Sequence, residues 1–147
     1  MPFQFSYGKL SFEEVRTFLL ETDGEFPTPL SAHVDIDAYA KKLSDFSDFA
    51  ICRDGKTLVG MISCYTNRPP MGYISNACVK RTYQGQKVFS RMFLLLMDKL
   101  KEQDISCLLL EVDVNNVGAR RVYERYGFRE IEFRPDSHKS LMEYRFG

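Results

Sequence analysis

"VKRTYQGQKVFSRMF", Val79 to Phe93, is the stretch on which the fold turns. It opens on a strand end, crosses a polar turn containing one glycine, Gly85, and runs into an apolar-periodic segment. From Gly85 to about Gln103, the residues Val88, Phe89, Met92, Phe93, Leu96 and Leu100 recur at helical spacing and form one wide apolar stripe. Before it, "GYISNACV" (72–79) is rich in strand formers; after it, "ISCLLLEVDV" (105–114) is a near-continuous apolar strand of the kind covered on both faces. A strand–helix–strand passage of this length joins two parallel strands by a crossover.

Working outward, "FQFSY" (3–7) reads as a first strand and "SFEEVRTFLL" (11–20) as a helix, with Ser11 as N-cap and Glu14 completing a capping box. "DGEFPTPLS" (23–31) is a turn-rich loop, and "DIDAYAKKL" (35–43) a second short helix. "DFAICRD" (48–54) and "KTLVGMISCYT" (56–66) are strands joined by the Asp-Gly turn of "RDGK", and "NRPP" breaks the chain before strand 72–79. In "NNVGARRVYERYGF" (115–128), Asn115 or Asn116 caps a helix whose inward stripe is Ala119, Val122, Tyr123 and Tyr126, and Gly127 is its left-handed stop. Strands at about 128–134 and 139–146 close the chain. Hairpins plus one crossover predict a single α+β domain over residues 1–147, with a mixed, mainly antiparallel sheet of six to seven strands and about four helices.

Composition narrows the function classes. No apolar run is long enough for a membrane span, and the first residues lack the pattern of a signal peptide. Cys52, Cys64, Cys78 and Cys107 each sit in a strand-like apolar run with no C-x-x-C pair, which predicts buried free thiols, no metal site and a cytoplasmic location. The net charge is zero, yet from Gly55 to Met97 there are six basic residues and no acid. That window favours a compact polyanion, while the acidic remainder argues against nucleic acid.

A helix start directly after a strand offers unpaired N–H groups and a positive dipole end, a setting for a pyrophosphate. The same connection is more often only a connection, and both G-x-x-x-x-G-K-[ST] and G-x-G-x-x-G are absent. Two segments together are more specific. "V-K-R-T-Y-Q-G-Q-K-V-F" resembles the acyl-CoA loop of the GNAT superfamily of acyl-CoA-dependent N-acetyltransferases, V-x-x-x-Y-[RQ]-G-x-G-x-[GA]. "L-E-V-D-V-N-N-V-G-A-R-R-V-Y-E-R-Y-G-F" is similar to its second hallmark, with Asn116, Ala119, Tyr123, Gly127 and Phe128 in register.

The resemblance implies a sheet splayed between strands four and five and acetyl-CoA as cosubstrate, with no metal. It places the CoA pyrophosphate on Gln84, Gly85, Gln86, Lys87, Val88, Phe89 and Ser90, with Asn116 and Ala119 nearby. It places the pantetheine arm along the main chain of Cys78 and Val79, where a backbone N–H polarises the thioester carbonyl. An amine then attacks directly, Tyr123 protonates the departing thiolate, and no cysteine is needed. Glu111, twelve residues before Tyr123, matches the base of members that acetylate protein N-termini, and a carboxylate in an apolar strand suits that work. Asp113, Tyr73 and ordered water are rival bases. His33 and Tyr73 are the candidate acceptor contacts.

Each role has a plain alternative: a core tyrosine at 123, a strand-edge carboxylate at 111, an exposed loop histidine at 33. Lys87 and Phe89 replace the small residues of the pattern. Lys87 either pairs with a CoA phosphate or is a solvated helix-start lysine, and Phe89 falls on the core stripe. The loop "EFPTPLSAHVDIDAYAKKL" resembles that of small bacterial members associated with surface-glycan gene sets, which implies a small amine such as an amino sugar as acceptor, and a monomer or homodimer. The alternatives are a protein N-terminal or lysine acetyltransferase and a non-catalytic acyl-CoA sensor.

Overall fold

The computed structural model describes residues 3–25, 29–32 and 34–147. Ser11 accepts a bond from the Glu14 amide at 3.2 Å and starts helix α1 (Phe12–Thr22). The reciprocal half of the capping box is absent, because the Glu14 carboxylate pairs with Arg53 at 2.7 Å. Helix α2 (Ile36–Phe46) is capped by Asp35, whose carboxylate accepts from the Asp37 and Ala38 amides. The apolar stripes of these two helices, with Val15, Phe18, Leu19, Ala40 and Leu43, bury against Phe49, Ile51 and Met61 on one face of a sheet.

The strands are β1 (Phe3–Gly8), β2 (Ser47–Asp54), β3 (Thr57–Arg68), β4 (Met71–Val79), β5 (Cys107–Asp113), β6 (Arg129–Arg134) and β7 (Lys139–Arg145). They form one seven-stranded sheet in the order β1-β2-β3-β4-β5-β7-β6. Every pairing is antiparallel except β4 with β5, the parallel pair that the crossover requires. Helices α3 (Val88–Glu102) and α4 (Val117–Arg125) cover the other face. There Met92, Phe93, Leu96 and Leu100 are fully enclosed with Leu108, Leu110 and Met142, each large side chain contributing about 1.5–3 kcal/mol.

The β4–β5 ladder is short. It pairs Met71–Ile74 with Cys107–Leu110 and goes no further. At that level β4 carries a bulge: Ser63 lies opposite Asn76 and Cys64 opposite Ile74, leaving Ser75 as the extra residue. A bulge bends its strand and sharpens the local twist. Beyond it β4 runs on paired with β3, β5 runs on paired with β7, and a wedge opens between them. The expected splay between the fourth and fifth strands is thus present.

Two expectations change. Strand β5 is not covered on both faces: Leu108, Leu110 and Val112 are buried, while Leu109, Glu111 and Asp113 are partly exposed. The reason is that α2 packs over β2 and β3. Helix α3 begins at Val88 rather than Gly85. The chain leaves β4 through a 3₁₀ turn at Arg81–Tyr83, then bends into the helix with Gly85 at φ 81° and Lys87 at φ 63°. Lys87 is therefore not a helical residue. It holds a left-handed conformation that costs an L-residue roughly 1–2 kcal/mol and that glycine adopts freely.

Gly127 closes α4 at φ 102°, and a Cβ there would lie 3.0 Å from Tyr144 Cε1. In urea unfolding, Gly127→Ala is expected to destabilise the protein by about 1–3 kcal/mol. Lys87→Gly is expected to be neutral or to stabilise by up to about 1 kcal/mol.

Candidate active site

The wedge between β4 and β5 opens on the α3–α4 face into a cleft of about 660 Å³. One wall is the end of β4. Lys80 donates its N–H to Val59 O on β3 at 2.9 Å. Main-chain groups alternate sides along a strand, so those of Val79 and Ala77 turn away from β3 into the cleft. Gln84 Nε2 donates to Val79 O at 3.0 Å, so this side chain already engages one carbonyl of that edge. By the same alternation Cys78 turns its main chain to β3, and the second free peptide group belongs to Ala77.

The mouth of the cleft is the bend from Gln84 to Lys87 and the first turn of α3. Arg91 N–H donates to Lys87 O, so the amides of Val88, Phe89 and Ser90 precede the first intrahelical bond of α3. The bend is tied down from below. Glu25 accepts from the Arg81 amide at 2.8 Å, Lys80 pairs with Glu21 at 2.8 Å, and Tyr83 Oη donates to Asp54 at 3.0 Å. Lys87 and Arg125 both line the cleft and form no ion pair among the described residues. A ring of amides and two free cations at one mouth suits a polyanion.

The far wall is aromatic. Phe89 stacks on Phe93 with centroids 5.8 Å apart and meets Tyr123 and Tyr126 edge-on at 6.1 and 6.3 Å. Phe89 is thus core and cleft wall at once. Tyr126 Oη donates to Ser90 Oγ at 2.9 Å and pins α4 to α3, which gives the Ser90 hydroxyl a structural partner. Tyr123 lines the cleft half-buried, and burial alone pushes its hydroxyl up to about 12. The phenol therefore keeps its proton across the neutral range.

On the opposite face of the sheet, Glu111 sits where β5 leaves β4. Its carboxylate accepts from Tyr73 Oη at 2.9 Å and from Arg134 Nη1 at 2.7 Å. The apolar strand environment expected for it is replaced by this pair of donors. Burial and the Glu111 carboxylate together drive the Tyr73 hydroxyl well above its usual value. Asn76, just past the bulge, has a buried Oδ1 with no hydrogen-bond partner among the described residues. The four cysteines are free and buried, and burial raises Cys78 to about 11, unlike an activated thiol. Among the described residues no group of three or more His, Cys, Asp or Glu is placed to hold a metal ion, and no helix is long and apolar enough to cross a membrane.

Ten of the expected residues line one cleft: Cys78, Val79, Gln84, Gly85, Lys87, Val88, Phe89, Ser90, Ala119 and Tyr123. Gln86 points to solvent outside it. Asn116 is spent on the helix, its Oδ1 capping α4 at the Ala119 amide, 3.2 Å away. Glu111 and Tyr73 lie together across the sheet, and His33 falls outside the described residues. The sequence reading misses Ala77, Tyr83, Arg125, Asn76 and Arg134. Arg125 was within reach, since Ala119, Val122 and Arg125 follow one helical face; Arg134 meets Glu111 only through the β5–β7–β6 pairing.

The sequence matches the model of the acetyltransferase (GNAT) family over residues 12–128. It is 30% identical over 74 residues to N-alpha-acetyltransferase 30 of Saccharomyces cerevisiae, a match over 48% of this chain and 42% of that protein. The chain thus spans less than half the length of that relative. Among solved structures, the ribosomal-protein-S18-alanine N-acetyltransferase from Escherichia coli superposes with a TM-score of 0.75 at 17% identity, covering 97% of this chain and 94% of that one. The PaiA N-acetyltransferase from Thermoplasma acidophilum, in complex with coenzyme A, gives 0.76 at 17% identity, covering 99% and 100%. With the family model matched over residues 12–128, and a cleft at the splay lined by the residues where that pattern falls, this chain belongs to the acetyltransferase (GNAT) family.

Proposed function

We propose that this protein transfers the acetyl group of acetyl-CoA to a primary amine by direct attack. The observation that carries the reading is the β4 edge: the peptide groups of Ala77 and Val79 face a cleft across which the protonated hydroxyl of Tyr123 stands. In this reading the amides of Val88, Phe89 and Ser90, with Lys87 and Arg125, hold the pyrophosphate. The Ala77 and Val79 main chain receives the pantetheine arm as an added strand, and a β4 N–H polarises the thioester carbonyl. Tyr123 gives its proton to the leaving thiolate.

Glu111 takes the proton from the amine, which arrives from the opposite face through the wedge. Tyr73 and Arg134 hold its carboxylate in place. The acceptor we propose is a small molecule carrying a primary amine. A second reading, the α-amine of a peptide, is favoured by the likeness to N-alpha-acetyltransferase 30 and by the twelve-residue spacing of Glu111 and Tyr123.

Calorimetry with acetyl-CoA, followed by thiol release across small amines and short peptides, tests this. Binding with turnover of small amines is the expected result. Turnover of peptides alone moves the acceptor to the second reading; binding with no turnover on any amine marks a sensor; no binding overturns the function. Lys87→Ala is expected to weaken acetyl-CoA binding several-fold at low salt, with the difference shrinking as salt rises.

Tyr123→Phe is expected to lower kcat by about a hundredfold or more, with acetyl-CoA affinity retained. The sign of its pH effects follows from the raised value. The acid form persists up to about pH 12, so Tyr123 imposes no alkaline fall in kcat through the neutral and mildly alkaline range. Unfolded tyrosine titrates near 10.0, and the folded protein holds this proton more tightly. The contribution to stability is full below about pH 10 and is lost as pH rises toward 12. Urea unfolding across that interval should show a shallower loss in Tyr123→Phe than in the native protein.

A further inference from the structure

A second cavity, of about 460 Å³, lies on the Glu111 face of the sheet, between the end of α2 and the β3–β4 hairpin. Tyr73 joins the two places: it lines this cavity and donates to Glu111. The walls are Phe46, Met71, Tyr65 and Tyr73, with Phe46 and Met71 exposed to solvent. Two cations, Lys42 and Arg68, line it as well, and no acidic residue does. Neither cation forms an ion pair among the described residues, whereas eleven other ion pairs are present in the same structure. Lys42 Nζ lies 5.5 Å from the centre of the Tyr65 ring. The Tyr65 hydroxyl itself is buried beneath this wall, beside Ser75 of the β4 bulge.

A concave surface lined by two cations without ion-pair partners among the described residues focuses positive potential inward. We propose that this cavity receives an anionic group of the acceptor, so that the protein's substrate is a primary amine bearing a distal carboxylate or phosphate. The proposal rests on the N-acetyltransferase reading above and names its acceptor class. Arg68 and Lys42 pair with the anion. The amine end reaches the wedge, where the Glu111 carboxylate is the acceptor for its N–H groups.

Register sets the spacing between the two ends. Arg68 lies opposite Met71, and Glu111 follows Leu110, which lies opposite Ile74. At about 3.3 Å per residue those levels are roughly 13 Å apart, shortened by the reach of an arginine side chain. The anion is therefore several bonds from the amine, unlike the α-carboxylate of an ordinary amino acid. The aromatic and methionine walls accommodate the connecting chain.

The test is initial rates on a homologous series of straight-chain ω-aminocarboxylates against their carboxamides, with calorimetric acetyl-CoA binding measured in parallel. The expected result is a preference for the carboxylate of about tenfold or more in kcat/KM, reached through KM and falling with salt. Arg68→Ala and Lys42→Ala should each reduce that preference, the double variant should bring it near unity, and Arg68→Lys should retain part of it. Circular dichroism melting shows that the variants are folded. Equal rates on carboxylate and carboxamide overturn the proposal, as does a preference that survives the double variant. Absence of turnover on both series, with acetyl-CoA bound, overturns the acceptor class while leaving acetyl transfer to other amines standing. Absence of acetyl-CoA binding overturns the function itself.

Discussion

Ser75 is one residue more than the β3–β4 ladder can pair, and the structure of the site depends on where that surplus falls. Because the bulge coincides with the last β4–β5 pair, β4 keeps β3 as its partner and β5 keeps β7. Two strand ends with satisfied outer edges then diverge, and each presents an inner edge with no strand paired to it. Unpaired main-chain groups inside a fold are costly unless something binds them. Here they line a cleft open to solvent, which turns a liability of sheet structure into a place for an extended ligand. Tyr39 holds the bulge in place through bonds to the Ser75 main chain and hydroxyl.

The same wedge assigns work to the two faces. Helices α3 and α4 present amides, cations and the Tyr123 phenol on one side. Glu111, Tyr73 and Arg134 gather on the other. Tyr123 and Glu111, the acid and base of the proposed reaction, are separated by the sheet and face each other only through the gap. Tyr123 stands half-buried among aromatic rings and keeps its proton; Glu111 is held by Arg134 and Tyr73.

Much of this was legible from the residues because it depends on local chemistry. The α3 stripe, the Ser11 and Asn116 caps, the Gly127 stop and the two-motif register all follow from spacing of a few residues. Lys87 was misread for an instructive reason. Lysine is a good helix former, so helical propensity draws it into α3, whereas the bend out of β4 demands a left-handed residue there. The glycine of the family pattern has a backbone reason at that position, and this chain carries the strain with a residue whose charge faces the cleft mouth.

By itself, the sequence determined the elements, their order and the parallel crossover, and it singled out the bend and Tyr123 that line one cleft, because these rest on periodicity, capping and short-range register. Tertiary structure decided which peptide groups of β4 are free, that Arg134 holds Glu111, and that Lys42, Tyr65 and Arg68 share one cavity. Those facts join residues tens of positions apart in the chain. They arise from a single-residue bulge and the strand pairing around it, and pairing register is a property of two segments at once, carried by neither alone.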